Sequence, residues 1–463
     1  MSRPARSAGL SWLDIVRLGL VQTALGSIIV LTTSTLNRVM VVELSLAATV
    51  PGMLVGLHYA VQILRPLWGH GSDKGGRRTA WIVGGLALLA LAGTGAAAST
   101  LLFEQGFWLG LSAALVCFVL IGFGIGAAGT SLLALVAAQA APARRPAAAT
   151  IIWMMMIAGI AITAIISGQF IDPYSHERLV AVTAIAGLIA FLIAGTAVLG
   201  IERDRDSLAA LGHDETRPPP VSFTRSLADT WADPRARLFT IFVFLSMLAY
   251  STQDLVLEPF GGLLFGMEPG ETTTLSGKQH GGVFLGMALV GILGTVLARR
   301  KPSILKLFVI TGCLGSGLAL GLLTLGAAAA PDWPLEANII ALGFANGAFA
   351  VAAVGAMMSL AGQGGPGREG IRMGLWGAAQ AIAFGLGGFL GTVVLDVARR
   401  VTGDVALSFG IVFSAEAALF VLAALLASRI SLRPEAPTSS EDAVTDTPHG
   451  QRLSRPLPLQ PAE

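Results

Sequence analysis

Two polar side chains lie inside an apolar stretch of the sequence, where they could bind a ligand. His58 and Gln62 are four residues apart, so on a helix they share a face, one turn apart. A neutral imidazole can coordinate a metal, and the neighbouring amide can hydrogen-bond. We predict this pair as cofactor-binding residues; the alternative is a packed, hydrogen-bonded histidine. His280, which begins a later apolar stretch, has the same alternative.

The sequence lacks the motifs of common enzyme classes. It has no Walker loop, no HExxH and no CxxC. The two cysteines, Cys117 and Cys313, fall in separate apolar stretches, which favours buried side chains over a disulfide or a metal site. The glycine string 122–126 lies inside an apolar block rather than after a strand, so a dinucleotide site is not indicated. We predict a protein that is not an enzyme.

The composition indicates which kind of structural element carries these residues. Of 463 residues, 54% are hydrophobic and 13% are charged, whereas a soluble domain carries about 25% charged residues. The apolar residues recur in blocks of about twenty, the helix length that crosses the roughly 30 Å hydrocarbon core of a bilayer. The sequence therefore predicts an all-α polytopic membrane protein. Its net charge of +2 does not indicate a nucleic-acid partner.

The apolar blocks predict twelve transmembrane helices in two six-helix bundles. We place the N-terminal bundle at residues 1–201, a cytoplasmic linker at 202–237, the C-terminal bundle at 238–430 and a disordered cytoplasmic tail at 431–463. The predicted spans cover residues 15–36, 50–69, 80–101, 107–139, 147–171, 179–200, 238–257, 279–298, 304–329, 336–361, 371–395 and 405–428.

The distribution of basic residues orients these spans. With both termini in the cytoplasm, 24 of the 30 Lys and Arg residues fall in cytoplasmic segments and 5 on the opposite side. Cytoplasmic loops of membrane proteins carry this excess of positive charge. We therefore expect an even number of spans, with both ends of the chain inside the cell.

Charged residues recur at equivalent ends of the first and seventh spans. In both places an amide precedes a charge, and equivalent ends of two parallel repeats lie on the same side of the membrane. Our hypothesis is that Arg38 pairs with Asp254 or Glu258 and helps to close the non-cytoplasmic side. The alternative is that each charge extends separately to the lipid headgroups. The residues concerned are Asn37, Arg38 and Glu43 in the first half, and Gln253, Asp254 and Glu258 in the second.

The loop after the second predicted span carries a glycine, acid and arginine pattern. It resembles the G-x-x-x-D-x-x-G-R-[RK] signature of the major facilitator superfamily, with Gly69, Asp73, Gly76, Arg77 and Arg78. A carboxylate at this place can lie against a helix N-terminus. We expect Asp73 to face the start of the eleventh span, near residues 370–374, when the cytoplasmic side is closed. The corresponding loop of the second half has bases but no acid.

Two longer sequence segments resemble one particular branch of the superfamily. TLNRVMVVEL (residues 35–44) and QDLVLEPFGG (residues 253–262), with Arg65 and the loop GSDKGGRR, resemble the bacteriochlorophyll-delivery branch of the superfamily. Within that branch the compact loop is similar to the PucC type, which is linked to the peripheral antenna LH2. The LhaA type, linked to the core antenna, has a longer loop. The resemblance extends to about residue 430.

The resemblance implies a function in assembling light-harvesting complexes. Such a protein delivers bacteriochlorophyll to the antenna alpha and beta polypeptides, or helps its insertion, in the intracytoplasmic photosynthetic membrane. Its expected partners are those polypeptides, the lipid bilayer and pigment-synthesis enzymes, and its expected cargo is bacteriochlorophyll, with no other metal or nucleotide. His58 and Gln62 could then contact the pigment, as could Trp153 and Met154–Met156, although ordinary packing also explains the latter. A secondary transporter of a small solute and an indirect sensor are the alternatives.

Overall fold

The protein is built from helices throughout the part of the chain that the structure describes. The structure, a computed structural model, describes residues 10–64, 78–140, 144–202, 223–298, 304–362 and 369–430. A π-helical turn, Leu31–Thr35, joins α1 to α2, and a 3-10 turn, Gln62–Leu64, follows α3. The helices are Trp12–Val30 (α1), Leu36–Val42 (α2), Thr49–Val61 (α3), Arg78–Gln105 (α4), Phe107–Gln139 (α5), Arg145–Ile171 (α6), His176–Val198 (α7), Phe223–Ala232 (α8), Pro234–Gln253 (α9), Leu257–Phe265 (α10), Pro269–Ala298 (α11), Ile304–Ala328 (α12), Leu335–Gly362 (α13), Glu369–Thr402 (α14) and Val405–Arg429 (α15).

These helices agree with the predicted membrane spans. Ten helices or helix runs in the described ranges are long and apolar enough to cross a membrane. The two remaining predicted spans correspond to α3, which is short, and to α11, which is long but begins with the polar sequence PGETTTLSGKQ. The prediction of a polytopic helical membrane protein is confirmed, and the arrangement is consistent with twelve spans.

The first and seventh spans are longer than the sequence predicted. Residues 12–42 form one continuous helical run instead of ending at residue 36. The seventh span does not end at residue 257: after a break at residues 254–256 it continues as α10 to Phe265. Polar residues led the prediction to end both spans early, but here those residues are enclosed by other helices. As a consequence, Arg38 and Glu258 lie inside the protein rather than at its surface.

The two halves repeat the same packing scheme. In the N-terminal half α1 packs on α6 and α4 packs on α7; in the C-terminal half α9 packs on α14 and α12 packs on α15. Two pairs, α6 with α11 and α3 with α14, then join the halves. Each half thus repeats one helical unit, as expected for parallel repeats.

Small residues let some of these helices approach backbone to backbone. A Cβ atom added at Gly347 on α13 would lie 2.0 Å from the Val283 carbonyl oxygen on α11, and one at Gly124 would lie 2.8 Å from the Gly85 oxygen. Membrane helices associate through this kind of close packing because lipid supplies little hydrophobic driving force. The glycine string at 122–126 is part of α5 and therefore serves helix packing.

Capping side chains define several helix starts. Ser175 accepts a hydrogen bond from the Arg178 N–H at the start of α7, and Asp404 accepts one from the Leu407 N–H at the start of α15. The described part of the predicted linker contains α8 and the start of α9. Residues 203–222 and the predicted tail, 431–463, lie outside the described residues.

Candidate functional site

A cavity of about 500 Å³ lies between the two halves. Its size falls within the range of about 300–1,000 Å³ that is common for ligand pockets. Helices from both halves contribute to its wall, and the wall is mainly apolar with several convergent polar groups. The residues that line the cavity include Ser34, His58, Tyr59, Gln62, Trp153, Met156, Tyr250, Asp254, His280 and Phe384.

The structure places the predicted pair His58 and Gln62 at this cavity. His58 is buried near the C-terminal end of α3, and its ring centroid is 4.1 Å from that of Tyr59. Trp153 and Met156 on α6 also line the cavity, and Met156 Sδ accepts a hydrogen bond from Gln22 at 3.1 Å. The binding role that the sequence assigned to these residues stays a prediction.

His280 on α11 enters the cavity from the C-terminal half. Its Nδ1 lies 2.9 Å from the Ser276 carbonyl oxygen. A carbonyl oxygen only accepts, so Nδ1 carries the proton and the lone pair belongs to Nε2. Histidines that ligate metals usually donate their second ring N–H in this way. The geometry therefore makes His280 a better prepared ligand than its position in the sequence indicated.

Aromatic rings from both halves form part of the cavity wall. The Phe384 ring centroid on α14 is 6.1 Å from that of Tyr59 and 5.9 Å from that of Tyr250. Aromatic pairs at these separations pack favourably. Together with Trp153, these rings give the cavity an aromatic lining from both halves of the chain.

The C-terminal half also buries carboxyl groups. Glu258 is 3% exposed and Glu416 is 1% exposed, and none of their carboxyl oxygens meets hydrogen-bond geometry with a partner. Glu258, Asp254 and His280 border a second, much smaller cavity of about 10 Å³. That is about enough room for one water molecule.

Sequence reasoning missed Glu416 and the polar network beside it. Asn346 donates to Gln253 at 3.2 Å and accepts from Ser316 at 2.7 Å, and all three side chains are buried. Glu416 stands alone among apolar residues in the last span, and an isolated acid in such a span is a functional candidate by default. The single acid in the last apolar block could have identified Glu416, but the clustered charges near span ends were the more prominent pattern.

Arg38 does not form the pair that the sequence predicted. Its guanidinium forms a salt bridge with Glu43 of its own half, and Nη2 donates to the Met267 carbonyl oxygen of the other half at 2.5 Å. In this conformation Arg38 pairs with neither Asp254 nor Glu258, and at 2% exposure it does not extend to the lipid headgroups. Glu43 follows five residues later and can fold back onto Arg38.

Other hydrogen bonds join the halves at the same end of the bundle. Asn37 donates to the Leu255 carbonyl oxygen at 2.8 Å, and the hydroxyls of Thr35 and Thr273 lie 2.9 Å apart. Asp172 accepts from the backbone N–H of Gly270 at 2.9 Å. Asp396 accepts from the backbone N–H groups of residues 48 and 49. We call this region, where both halves meet around Arg38, the Arg38 end.

The loop that resembled the superfamily signature is described only at its last residue. Arg65, Gly69, Asp73, Gly76 and Arg77 lie outside the described residues, as does the predicted contact of Asp73.

Arg78 begins α4, and its backbone N–H donates to Glu202 at 2.7 Å, beside the Thr79 N–H at 2.9 Å. Partial burial opposes ionisation of Glu202, but these hydrogen bonds outweigh it and lower the pKa of the carboxyl group. Glu202 thus ties the end of the sixth span to the start of the third.

The fold is that of the major facilitator transporters. The chain is similar to a crystal structure of a D-xylose–proton symporter, with a TM-score of 0.69 over 90% of this chain and 97% of that chain. Sequence identity is 14%, so the likeness concerns the fold alone. The predicted fold class is confirmed.

Relatives by sequence come from phototrophic bacteria. The chain is 52% identical over 422 residues to the "Bacteriochlorophyll synthase 44.5 kDa chain" of Rhodobacter capsulatus, covering 91% of this chain and 96% of that one. It is 29% identical to "Protein PucC" of Cereibacter sphaeroides, covering 82% and 83%. The model of the family described as PUCC protein matches residues 35–434. This chain therefore belongs to the PUCC protein family.

Proposed function

We propose that this protein is an assembly factor for bacterial light-harvesting complexes that delivers bacteriochlorophyll to antenna polypeptides, or helps its insertion. The observation that carries the proposal is an aromatic, apolar cavity with a histidine from each half, in a chain of the PUCC family. A tetrapyrrole presents a flat aromatic ring and a central magnesium. The cavity offers matching groups: aromatic walls for the ring and imidazoles for the metal.

We propose that pigment is bound as cargo and that no reaction is catalysed on it. The name of the relative that is 52% identical contains the word synthase, which points instead to an enzyme. The polar groups that line the cavity are mainly dispersed amides and hydroxyls, with two histidines and one acid. This set suits binding and release better than a synthetic reaction.

A deletion strain of the source phototroph tests the assembly function. We expect antenna absorption to fall while extractable bacteriochlorophyll is still made, because the protein acts after pigment synthesis. Restoring the gene on a plasmid is the control. Normal antenna absorption in a strain that also lacks any related family members would overturn the proposal, and loss of all bacteriochlorophyll would favour an enzyme.

The same strain decides which antenna the protein serves. We propose the peripheral antenna, LH2, with the alpha and beta polypeptides and pigment-synthesis enzymes as partners. The identity to one PucC protein is 29% and to the 44.5 kDa chain 52%, so the peripheral and core absorption bands need to be measured separately. Loss of the core band alone would transfer the assignment to the core antenna.

Purified protein tests whether pigment enters the cavity. We expect bacteriochlorophyll a to bind more tightly than bacteriopheophytin a, its metal-free form, because only the former can take an imidazole ligand. His280→Leu should remove this preference. The same measurement on His58→Leu tests the histidine that was predicted from the sequence. Equal affinities of the two pigments in the unaltered protein would contradict ligation at either residue.

The proposed location is the photosynthetic membrane, with both termini in the cytoplasm. The asymmetry of Lys and Arg residues supports this orientation. Reporter domains fused after residue 430 should be active in the cytoplasm, and a reporter inserted near residue 266 should be active on the opposite side. The reverse pattern would overturn the orientation.

A secondary transporter of a small solute is the second candidate function. The buried acids Glu258 and Glu416 favour it, since intramembrane carboxyl groups often serve ion-coupled transport. Inverted vesicles would accumulate or lose such a solute when a proton gradient is imposed. A chaperone that hands pigment to antenna polypeptides within the membrane would show no such flux.

A further inference from the structure

Arg38 is held by groups from both halves of the protein. Its salt-bridge partner, Glu43, belongs to the same half, whereas the Met267 carbonyl oxygen belongs to the other. The guanidinium lies against α10: a Cβ atom at Gly262 would be 3.0 Å from Nη2 and 3.1 Å from Nε. The absence of a side chain at Gly262 therefore gives Arg38 its place on the surface of α10.

Glu258 lies one helical turn from Gly262 on the same face of α10. Arg38 packs at Gly262, yet the Glu258 carboxyl oxygens have no hydrogen-bond partner, and the two side chains do not form a salt bridge in this structure. Ser276 borders the same small cavity as Glu258, and that cavity adjoins the central cavity through Asp254 and His280. Arg38 thus lies within one turn of a second carboxyl partner.

We propose that Glu258 is a proton-binding site that determines which carboxylate pairs with Arg38, that of Glu43 in the same half or that of Glu258 in the other half. When Glu258 is protonated, Arg38 pairs with Glu43, as in this structure. When Glu258 is ionised, Arg38 exchanges Glu43 for Glu258 and forms a salt bridge between the halves. Proton binding would then weaken the closure of the Arg38 end, whatever cargo the central cavity takes.

The exposures of the two acids set the direction of this exchange. The Glu43 side chain is 32% exposed, whereas Glu258 is 3% exposed. An ionised carboxylate without a partner is costly to bury, while an exposed one is solvated by water. Arg38 therefore stabilises an ionised Glu258 more than it stabilises Glu43. Raising the pH favours the bond between the halves, and lowering the pH favours its release.

Other titratable groups lie on the neighbouring helices. Asp254 at the end of α9 and His280 on α11 border the same small cavity as Glu258, and Glu416 is buried on α15, which contacts α10. Lys278, also on α11, is paired with Glu336 at 2.7 Å and lines a different pocket. Glu258 differs from the other acids because it lies one helical turn from Gly262, where Arg38 packs. Asp254 thus serves as a matched control.

Spin labels at the Arg38 end test the proposal directly. Ser45 and Glu268 are exposed residues of opposite halves at this end, and Cys117 and Cys313 would be replaced by alanine. We expect the population with a long distance between the labels to increase as the pH falls. In Glu258→Gln this population should equal that of the unaltered protein at low pH and be independent of pH. In Glu43→Gln the midpoint should move about one unit lower, a tenfold change in the equilibrium, and Asp254→Asn should leave the midpoint unchanged.

The two glutamine variants have opposite expected effects, which keeps the test decisive if one of them folds poorly. A pH response that persists in Glu258→Gln would overturn the proposal. So would a Glu43→Gln variant that opens more readily than the unaltered protein, or an unaltered protein without any response to pH. Loss of the response in Asp254→Asn alone would place the proton on Asp254 instead.

Discussion

The two halves share a packing scheme but differ in where they bury charge. In the N-terminal half the buried ionisable residues of the described chain are Arg38 and His58. In the C-terminal half they include Arg372, His280 and two acids, Glu258 and Glu416. Counted from the capping residues Ser175 and Asp404, Glu416 on α15 has the register of Gly187 on α7, which packs against Ala90.

This difference bears on which half of the protein can change its charge. A buried carboxyl group can gain or lose a proton, whereas an arginine keeps its charge. Both halves bury an arginine and a histidine, but in the described chain only the C-terminal half also buries carboxyl groups. Conformational change can then be driven from one half, while the repeated packing keeps both halves intact.

The largest expected effect comes from reversing the charge that the C-terminal half buries. Glu416→Lys should prevent accumulation of folded protein, because a lysine at the centre of a membrane helix costs about 2.5–3.5 kcal/mol. Fluorescence-detected gel filtration of the solubilised protein measures the folded fraction. Glu416→Gln, which keeps the shape without the charge, should fold almost normally. If the lysine variant were as stable as the glutamine variant, Glu416 would face water rather than a sealed core.

A smaller effect is expected from separating the halves at the Arg38 end. Gly168→Val would place a Cβ atom 2.3 Å from the Thr274 hydroxyl and 2.5 Å from the Gly270 carbonyl oxygen. Overpacking of this kind costs about 1–3 kcal/mol, so the ratio of closed to open protein reported by the Ser45 and Glu268 labels should fall by about fivefold or more. Gly195→Val, where nothing lies within 4 Å, is the control. Equal closure in the two variants would show that contact at Gly168 does not hold the halves together.

The sequence predicted the fold well because hydropathy reports burial in lipid directly. It predicted the spans least well where polar residues lie inside the protein, as in the first and seventh spans. The polar residues at 252–254 resembled a span end, but the protein buries Thr252 and Gln253 between helices, and Asp254 borders the central cavity. Hydropathy cannot distinguish a polar residue that faces water from one that faces a neighbouring helix, because that difference depends on tertiary packing.

The candidate site was predicted in part for a similar reason. His58 and Gln62 could be placed on one helix face from their spacing, and both line the cavity. The choice of Glu43 over Glu258 by Arg38 depends on how α2 and α10 pack, which no local pattern encodes. The proton on His280 Nδ1 likewise depends on a contact with a backbone carbonyl oxygen, which the residue type alone does not specify.

A last difference between the halves concerns how the same helix pair is tied together at its ends. In the N-terminal half Glu202, which follows α7, accepts from the first N–H groups of α4. In the C-terminal half Lys306 on α12 donates to the Ser428 carbonyl oxygen near the end of α15. An acid supports a helix N-terminus in one half, and a base supports a helix C-terminus in the other.

The smallest expected effect is a difference in how the Glu202 and Lys306 contacts respond to pH. Glu202→Gln should destabilise the solubilised protein at pH 7 by about 0.5–1 kcal/mol, the usual value of a capping group. Because the pKa of Glu202 is lowered in the folded protein, its stabilisation is present above the unfolded pKa of about 4.3. That stabilisation is lost as the pH falls through the folded pKa, so the difference between the variant and the unaltered protein should shrink in acid. Lys306→Met should show a difference that stays constant over the same range, since the lysine remains charged. Thermal unfolding of both variants from pH 7 to about pH 3.5 measures this contrast, and parallel curves for the two would contradict it.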